Sequence, residues 1–181
     1  IMKITRTWHM PNSRTFKIKP IKDLIVKYTD ANILIVDPFA NEHSIKTVFP
    51  QSALYVSNDL DPIYQCDYSL EALEFLSLFK DESADVVLYD PPYSPRQVKE
   101  VYTSLGRTVT ITDTQSSYWS KFKKEIARIV KPGGVVISCG WNSNGIGKVN
   151  GFEIIEILLV AHGGSKNDTI VTIERKYYMK D

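Results

Sequence analysis

Short apolar runs alternate along this chain with stretches whose apolar residues fall at helical spacing, an order that predicts strands and helices in turn. Ile33-Leu34-Ile35-Val36, Leu54-Tyr55-Val56, Val86-Val87-Leu88-Tyr89 and Val135-Val136-Ile137 are compact and rich in β-branched residues, which predicts buried strands. Residues 21–28 carry apolar side chains at 21, 24, 25 and 28, a helical stripe with Pro20 at its start. A second stripe at Leu70, Leu73, Phe75 and Leu76 follows Asp67-Tyr68-Ser69, with Ser69 as the expected N-cap. Residues 63–66 are a weaker strand candidate. Helices are expected around residues 97–102 and over 118–130, the second stopped by Lys131-Pro132-Gly133-Gly134, read as a tight turn into the next strand. Residues 105–117 are rich in Thr and Ser without period and read as a surface loop. The link 140–151 is short and Gly/Asn-rich, with no helix expected. Residues 154–161 and 169–174 predict an antiparallel hairpin. The sum is an α/β architecture: a mostly parallel, twisted sheet of about seven strands that ends in that hairpin.

Charge changes this picture more than composition does. The 181 residues suffice for one domain with a substantial core, and the net charge is only +1. That balance conceals a basic first segment (net +5 over residues 1–30), an acidic second (−9 over 31–90) and a basic third (+5 over 91–131). The acidic stretch suits a small cation and the basic flanks suit a phosphate backbone, although charge blocks also occur as plain solvated faces. Cys66 and Cys139 have no metal-ligand spacing, and His9, His43 and His162 are scattered, so no metal is expected. No apolar run approaches membrane-spanning length and no signal-peptide stretch is present, so a cytoplasmic protein without membrane contact is expected.

Asp90-Pro91-Pro92-Tyr93 follows the Val86–Tyr89 run directly and carries the candidate chemistry. Open α/β sheets build their sites at the carboxyl ends of strands, where this tetrapeptide falls. The two prolines lack N–H groups and fix their own φ, which makes a stiff turn presenting a carboxylate, a carbonyl and an aromatic ring. Such a turn can accept both hydrogens of a flat amino group while the ring stacks on it. An ordinary strand exit would use similar residues.

The tetrapeptide resembles the catalytic motif of the S-adenosylmethionine-dependent amino-methyltransferases that modify the exocyclic nitrogen of adenine in nucleic acid. The resemblance extends over residues 15–176 and implies the Rossmann-like methyltransferase fold. It implies Asp90, Pro91, Pro92 and Tyr93 as catalytic residues and S-adenosylmethionine as cofactor. Phe16-Lys17-Ile18-Lys19-Pro20 is similar to the family's Lys-Pro motif, which implies Lys19 and Pro20 at the cofactor. Asp37-Pro38-Phe39-Ala40-Asn41 resembles the Asp-Pro-Phe-x-Gly-x-Gly loop, which implies Asp37, Pro38, Phe39 and Asn41. Here the chain departs from the family: Asn41 and His43 stand where glycines are usual, and a side chain at 43 is expected to crowd the ligand. Asn58 and Asp59 are candidates for the ribose, with Asp61 the alternative to Asp59, and Asp67 and Tyr68 for the adenine.

The implied chain runs as one domain: a basic arm and helix (1–30), a cofactor half (31–90), a catalytic loop and helix (91–131) and C-terminal strands (132–181). Arg96, Lys99, Arg107, Lys121, Lys123 and Lys124, with Lys17 and Lys19, are the expected contacts to nucleic acid. DNA is favoured over RNA; RNA adenine, a glutamine amide, or a non-catalytic binding module are the alternatives. No insertion large enough to read a long sequence is present, which implies relaxed specificity or a specificity partner protein.

Overall fold

The four short apolar runs become four adjacent strands on one side of a sheet. The computed structural model describes residues 2–108 and 116–178. Its strands are β1 (Lys3–Trp8), β2 (Leu34–Asp37), β3 (Leu54–Ser57), β4 (Ala84–Tyr89), β5 (Val130–Gly140), β6 (Phe152–Ala161) and β7 (Thr169–Lys176). The helices are α1 (Lys19–Lys27), α2 (Ala72–Ser77), α3 (Pro95–Ser104) and α4 (Ser116–Ile129). Among the described residues the seven strands form one sheet in the order β1-β6-β7-β5-β4-β2-β3. Only β7 is antiparallel to its neighbours. This is the mostly parallel α/β sheet with a terminal hairpin that the hydrophobic pattern implies.

Ile35, Val36, Val87, Leu88, Val136 and Ile137 are fully buried on the adjacent strands β2, β4 and β5, because both faces of the sheet are covered. Ile21, Leu24 and Ile25 of α1 close one face. Phe75 and Leu76 of α2, with Phe122, Ile126 and Ile129 of α4, close the other. No helix among the described residues is long and apolar enough to cross a membrane.

Four elements differ from the sequence expectation. Residues 63–66 form no strand; Pro62–Tyr64 is a 3₁₀ turn capped by Asp61, whose carboxylate accepts from the Ile63 amide at 3.0 Å. The second helix starts at Ala72 and ends at Ser77, so Ser69 is not its cap. Residues 131–134 are no turn between helix and strand: β5 runs from Val130 with a register shift against β4, and Gly133 supplies the φ of 78° there. The last is β1, which periodicity misses because it has no buried face: Ile4, Arg6 and Trp8 are exposed on one side. It is held as a parallel edge strand on β6, from Lys3 opposite Glu156 to Trp8 opposite Ala161.

That edge strand positions the site. After Trp8 the chain crosses the carboxyl end of β6, the amino end of β7 and the carboxyl end of β5 to reach the end of β4 at Thr15. Four strand spacings are about 19 Å, and seven residues extend to about 23 Å, so this strap is nearly taut.

Candidate active site

Strand order reverses between β2 and β4, and the crevice outside their carboxyl ends is where such sheets place ligands. A cavity of about 570 Å³ opens there. Its walls include Pro38, Phe39, Asn41 and Asp59 on the β2–β3 side and Asp90, Pro91, Pro92 and Tyr93 on the β4 side. Arg14, Thr15 and Lys17 of the strap close a third wall, and Gln97 and Tyr102 of α3 a fourth. The Asp90–Tyr93 tetrapeptide and four of the ten expected cofactor residues therefore meet in one hollow.

The turn after β4 is fixed by its own neighbours. Ser94 caps α3 by accepting from the Gln97 amide at 3.3 Å, and the Gln97 side chain accepts from the Tyr93 amide at 2.6 Å. With Pro95 as the first helical residue this is a capping box in Ser94-Pro95-Arg96-Gln97, a signal the sequence carried. Trp119 Nε1 donates to the Pro92 carbonyl at 2.9 Å. Among the described residues the Pro91 carbonyl takes no hydrogen bond. The Tyr93 hydroxyl donates to the Asp90 carboxylate, and the Thr15 hydroxyl adds to the same group. Burial raises the Asp90 carboxyl above its ordinary range, partly offset by Tyr93 and Thr15. The Tyr93 ring stands edge-on to Trp141, 5.7 Å between centroids.

The loop after β2 reaches its shape without glycine. Asn41 and His43 both take left-handed backbone, φ 50° and 43°. Asn41 does so at small strain, and its amide is held by Asp59 Oδ2 at 2.9 Å. His43 does not line the cavity; its Nδ1 lies 3.7 Å from Cys66 Sγ. The side chain is half-buried and directed at Cys66 rather than at the cavity wall. Glu42 between them takes ion pairs from Arg14 and, at 2.7 Å, Lys17 of the strap.

Asp59 accepts one amide on each oxygen, from Asn41 and Asp61, and keeps a second acceptor position on each. Burial raises its carboxyl above the ordinary range despite those two amides. Asp37 lies beneath the cavity, wholly buried, and takes the Tyr55 hydroxyl at 2.7 Å. Burial pushes it up to about 8, against the pull of Tyr55, and the charge of Asp90 adds to the rise.

The other proposed residues stand off the cavity wall. Asn58 is buried and clips Pro38 to Leu70 through three hydrogen bonds. Burial works to raise Asp67, but the Ser57 amide and hydroxyl pull it below the ordinary range. Tyr68 packs on Phe75. Lys19 is exposed and paired with Asp23, while Pro20 begins α1. Of the cations, Arg96 pairs with Glu100 and Arg107 with Glu71. Lys123 is half-buried; burial lowers its pKa and Glu174 opposes this. Lys99, Lys121 and Lys124 are exposed. Residues 109–115 of the expected surface loop lie outside the described residues. Sequence reasoning missed Arg14, Thr15, Tyr102 and Glu71 at the cavity.

No protein-family model matches the chain, and no curated protein sequence matches it. Solved structures do. TrmN from Thermus thermophilus superposes with TM-score 0.59 at 17% identity, covering 88% of this chain and 49% of that one. A 1,6-didemethyltoxoflavin-N1-methyltransferase of Burkholderia thailandensis, solved with S-adenosylhomocysteine, gives 0.60 at 11%, covering 88% and 78%. A SAM-dependent methyltransferase of Methanosarcina mazei gives 0.59 at 14%, covering 86% and 98%. The chain thus spans about half the length of TrmN and nearly all of the Methanosarcina protein. At these identities the likeness establishes the fold, which is the Rossmann-like fold of solved methyltransferases.

Proposed function

We propose that this chain transfers a methyl group from S-adenosylmethionine to the N6 amino group of adenine in nucleic acid, with DNA the first substrate to test. The observation that carries the reading is the pairing of Asp90 with the unoccupied Pro91 carbonyl at the cavity wall, two acceptors on one rigid turn. The Tyr93 hydroxyl already fills one acceptor position, which supports a site shaped for a hydrogen donor.

The cavity suits the cofactor chemically. Its walls carry Asp59, Asp61, Glu71 and Asp90, and a sulfonium is a cation. Phe39 offers a ring and Asp59 retains acceptor positions for ribose hydroxyls. S-adenosylmethionine, once bound, supplies a methyl group on a good leaving group. Asp90 and Pro91 would accept the two N6 hydrogens, favouring a pyramidal nitrogen whose lone pair is free to attack. Asp90 then takes a proton as the nitrogen becomes cationic; its raised carboxyl suits that role. Tyr93 would release Asp90 and stack on the base, which must leave its helix to reach an acceptor inside the cavity. A cytoplasmic location belongs to the same proposal.

The glycine-poor loop gave the sequence its argument for a non-catalytic binding module. The left-handed turns at Asn41 and His43, with His43 outside the cavity, weaken that argument. Incubation of the protein with S-adenosylmethionine and unmodified DNA or RNA, then nucleoside digestion and mass spectrometry, tests the proposal. N6-methyladenosine or its deoxy form is expected; methyl on another base or on none would falsify it.

A further inference from the structure

Two of the chain's three tryptophans, Trp119 and Trp141, flank the turn after β4. Trp119 holds the Pro92 carbonyl, and Trp8 ends β1. Trp141 is the first residue after β5, where it meets the edge of Tyr93 at 5.7 Å and 71°. It keeps 44% of its surface exposed. An indole at that position is poorly used as core: it touches the ring proposed to stack on the target and shows solvent the rest. We propose that Trp141 is the platform for the nucleotide beside the methylated adenine, and that the substrate strand is unpaired at the target. This rests on the adenine reading above.

Three further observations favour an unpaired strand over a duplex. Asp90 is half-buried at the cavity wall with its carboxylate engaged by Tyr93, so a base must be taken wholly out of its stack to reach it. That step is least costly where the base has no partner. Duplex affinity depends on phosphate neutralisation, yet of the six expected cations Arg96 and Arg107 spend their charge on Glu100 and Glu71 and Lys123 is half-buried, which leaves Lys99, Lys121 and Lys124 exposed for it. Base–aromatic stacking supplies affinity without such a grip and tolerates any base. Beyond the helices that cover the sheet and the terminal hairpin, the described residues carry no inserted helix or ribbon to read a groove.

Fluorescence anisotropy with one labelled adenine-containing oligonucleotide, as single-stranded DNA, single-stranded RNA and DNA duplex, tests the inference. The wild-type chain should bind at least one single-stranded form about ten-fold or more tighter than the duplex. Trp141→Ala should lose most of that preference and leave duplex binding as it was, while Trp141→Phe, which keeps a ring, should restore it. Calorimetry with S-adenosylmethionine should give the same affinity for Trp141→Ala, reporting an intact fold and cofactor cavity. Equal or tighter binding of the duplex overturns the inference, as does a Trp141→Ala chain that binds single strands like wild type, or no binding of any form. Single-strand binding through Trp141 without methyl transfer upholds the platform and sinks only the adenine reading.

Discussion

Asp37 closes β2 and Asp90 follows the neighbouring β4, and each carboxylate accepts a hydrogen bond from a tyrosine. The two pairs are otherwise unlike. Tyr55 reaches Asp37 from β3, and that pair is sealed beneath the cavity. Tyr93 reaches Asp90 from three residues along the same turn, and that pair forms the cavity wall. A donor from another strand cannot be exchanged without disturbing the sheet. A donor from the same turn can swing aside while β4 and α3 stay paired and capped. The comparison separates a carboxyl that holds structure from one that is free to change partners.

The largest expected effect breaks the open pair. Asp90→Ala should lower methyl transfer by about 10²–10⁴-fold, the usual worth of a positioned acid–base group. The cofactor's affinity by calorimetry should hold, since Asp90 is one of several acids at the cavity. An Asp90→Ala chain with full turnover would remove the catalytic assignment.

Breaking the sealed pair should act on stability instead. Tyr55→Phe leaves Asp37 buried without its donor, and should cost about 1–3 kcal/mol in urea unfolding. Tyr93→Phe should cost clearly less, because water in the cavity can reach Asp90 in place of the hydroxyl. Equal losses for the two variants would erase the distinction drawn here.

Proton linkage sharpens the comparison with a smaller effect. Asp37 is pushed up to about 8 in the folded chain, so the folded state holds this proton more tightly than the unfolded state does. Its penalty is absent below the unfolded carboxyl range and grows as pH rises toward 8. Asp59, Asp90 and Glu174 are raised as well and act with the same sign. Asp67 and Glu156 are lowered, and their support is lost only as pH falls through the acid range, outside this window. The melting temperature should therefore decline from about pH 5 to about pH 8, and Asp37→Asn should flatten the decline. A steady rise over that window would contradict the buried, uncompensated acid. A sulfonium should counteract the penalty, so cofactor binding should release protons, measurable by calorimetry in buffers of different ionisation heat.

What the sequence made legible follows from the kind of force at each element. β2, β4 and β5 are buried on both faces, so their apolar runs stand out, and the terminal hairpin announces itself by its polar turn. β1 has no buried face and was silent; only its pairing with β6 makes it a strand. Its consequence, the strap bearing Arg14 and Thr15, was silent with it. Pro62–Tyr64 reads as a strand by residue type but obeys Asp61 and Pro62, a cap and a helical start. The Asp90–Tyr93 turn was legible because proline fixes its own geometry. The cofactor loop was half legible, since glycine is the easiest route to left-handed backbone and not the only one. The pairing of Arg96 with Glu100 could be read from its four-residue spacing; that of Arg107 with Glu71 could not, being set by the fold alone.

The smallest expected effect separates the two tyrosine pairs from the surface charges around them. Each phosphate contact contributes about 0.7 to the slope of log affinity against log salt on a single strand and about 0.9 on duplex. Lys121 is exposed and takes no ion pair among the described residues, so Lys121→Ala should reduce the slope by about one contact. Arg96→Ala should change it less, because Glu100 already neutralises that guanidinium at 2.8 Å. Tyr93→Phe should leave the slope unchanged while altering turnover, since a neutral hydroxyl releases no counterions. A salt series of oligonucleotide affinities across the three variants checks the ranking. A larger slope change for Tyr93→Phe than for Lys121→Ala would mean that the open pair is coupled to the phosphate surface, and that the turn does more than present acceptors to a base.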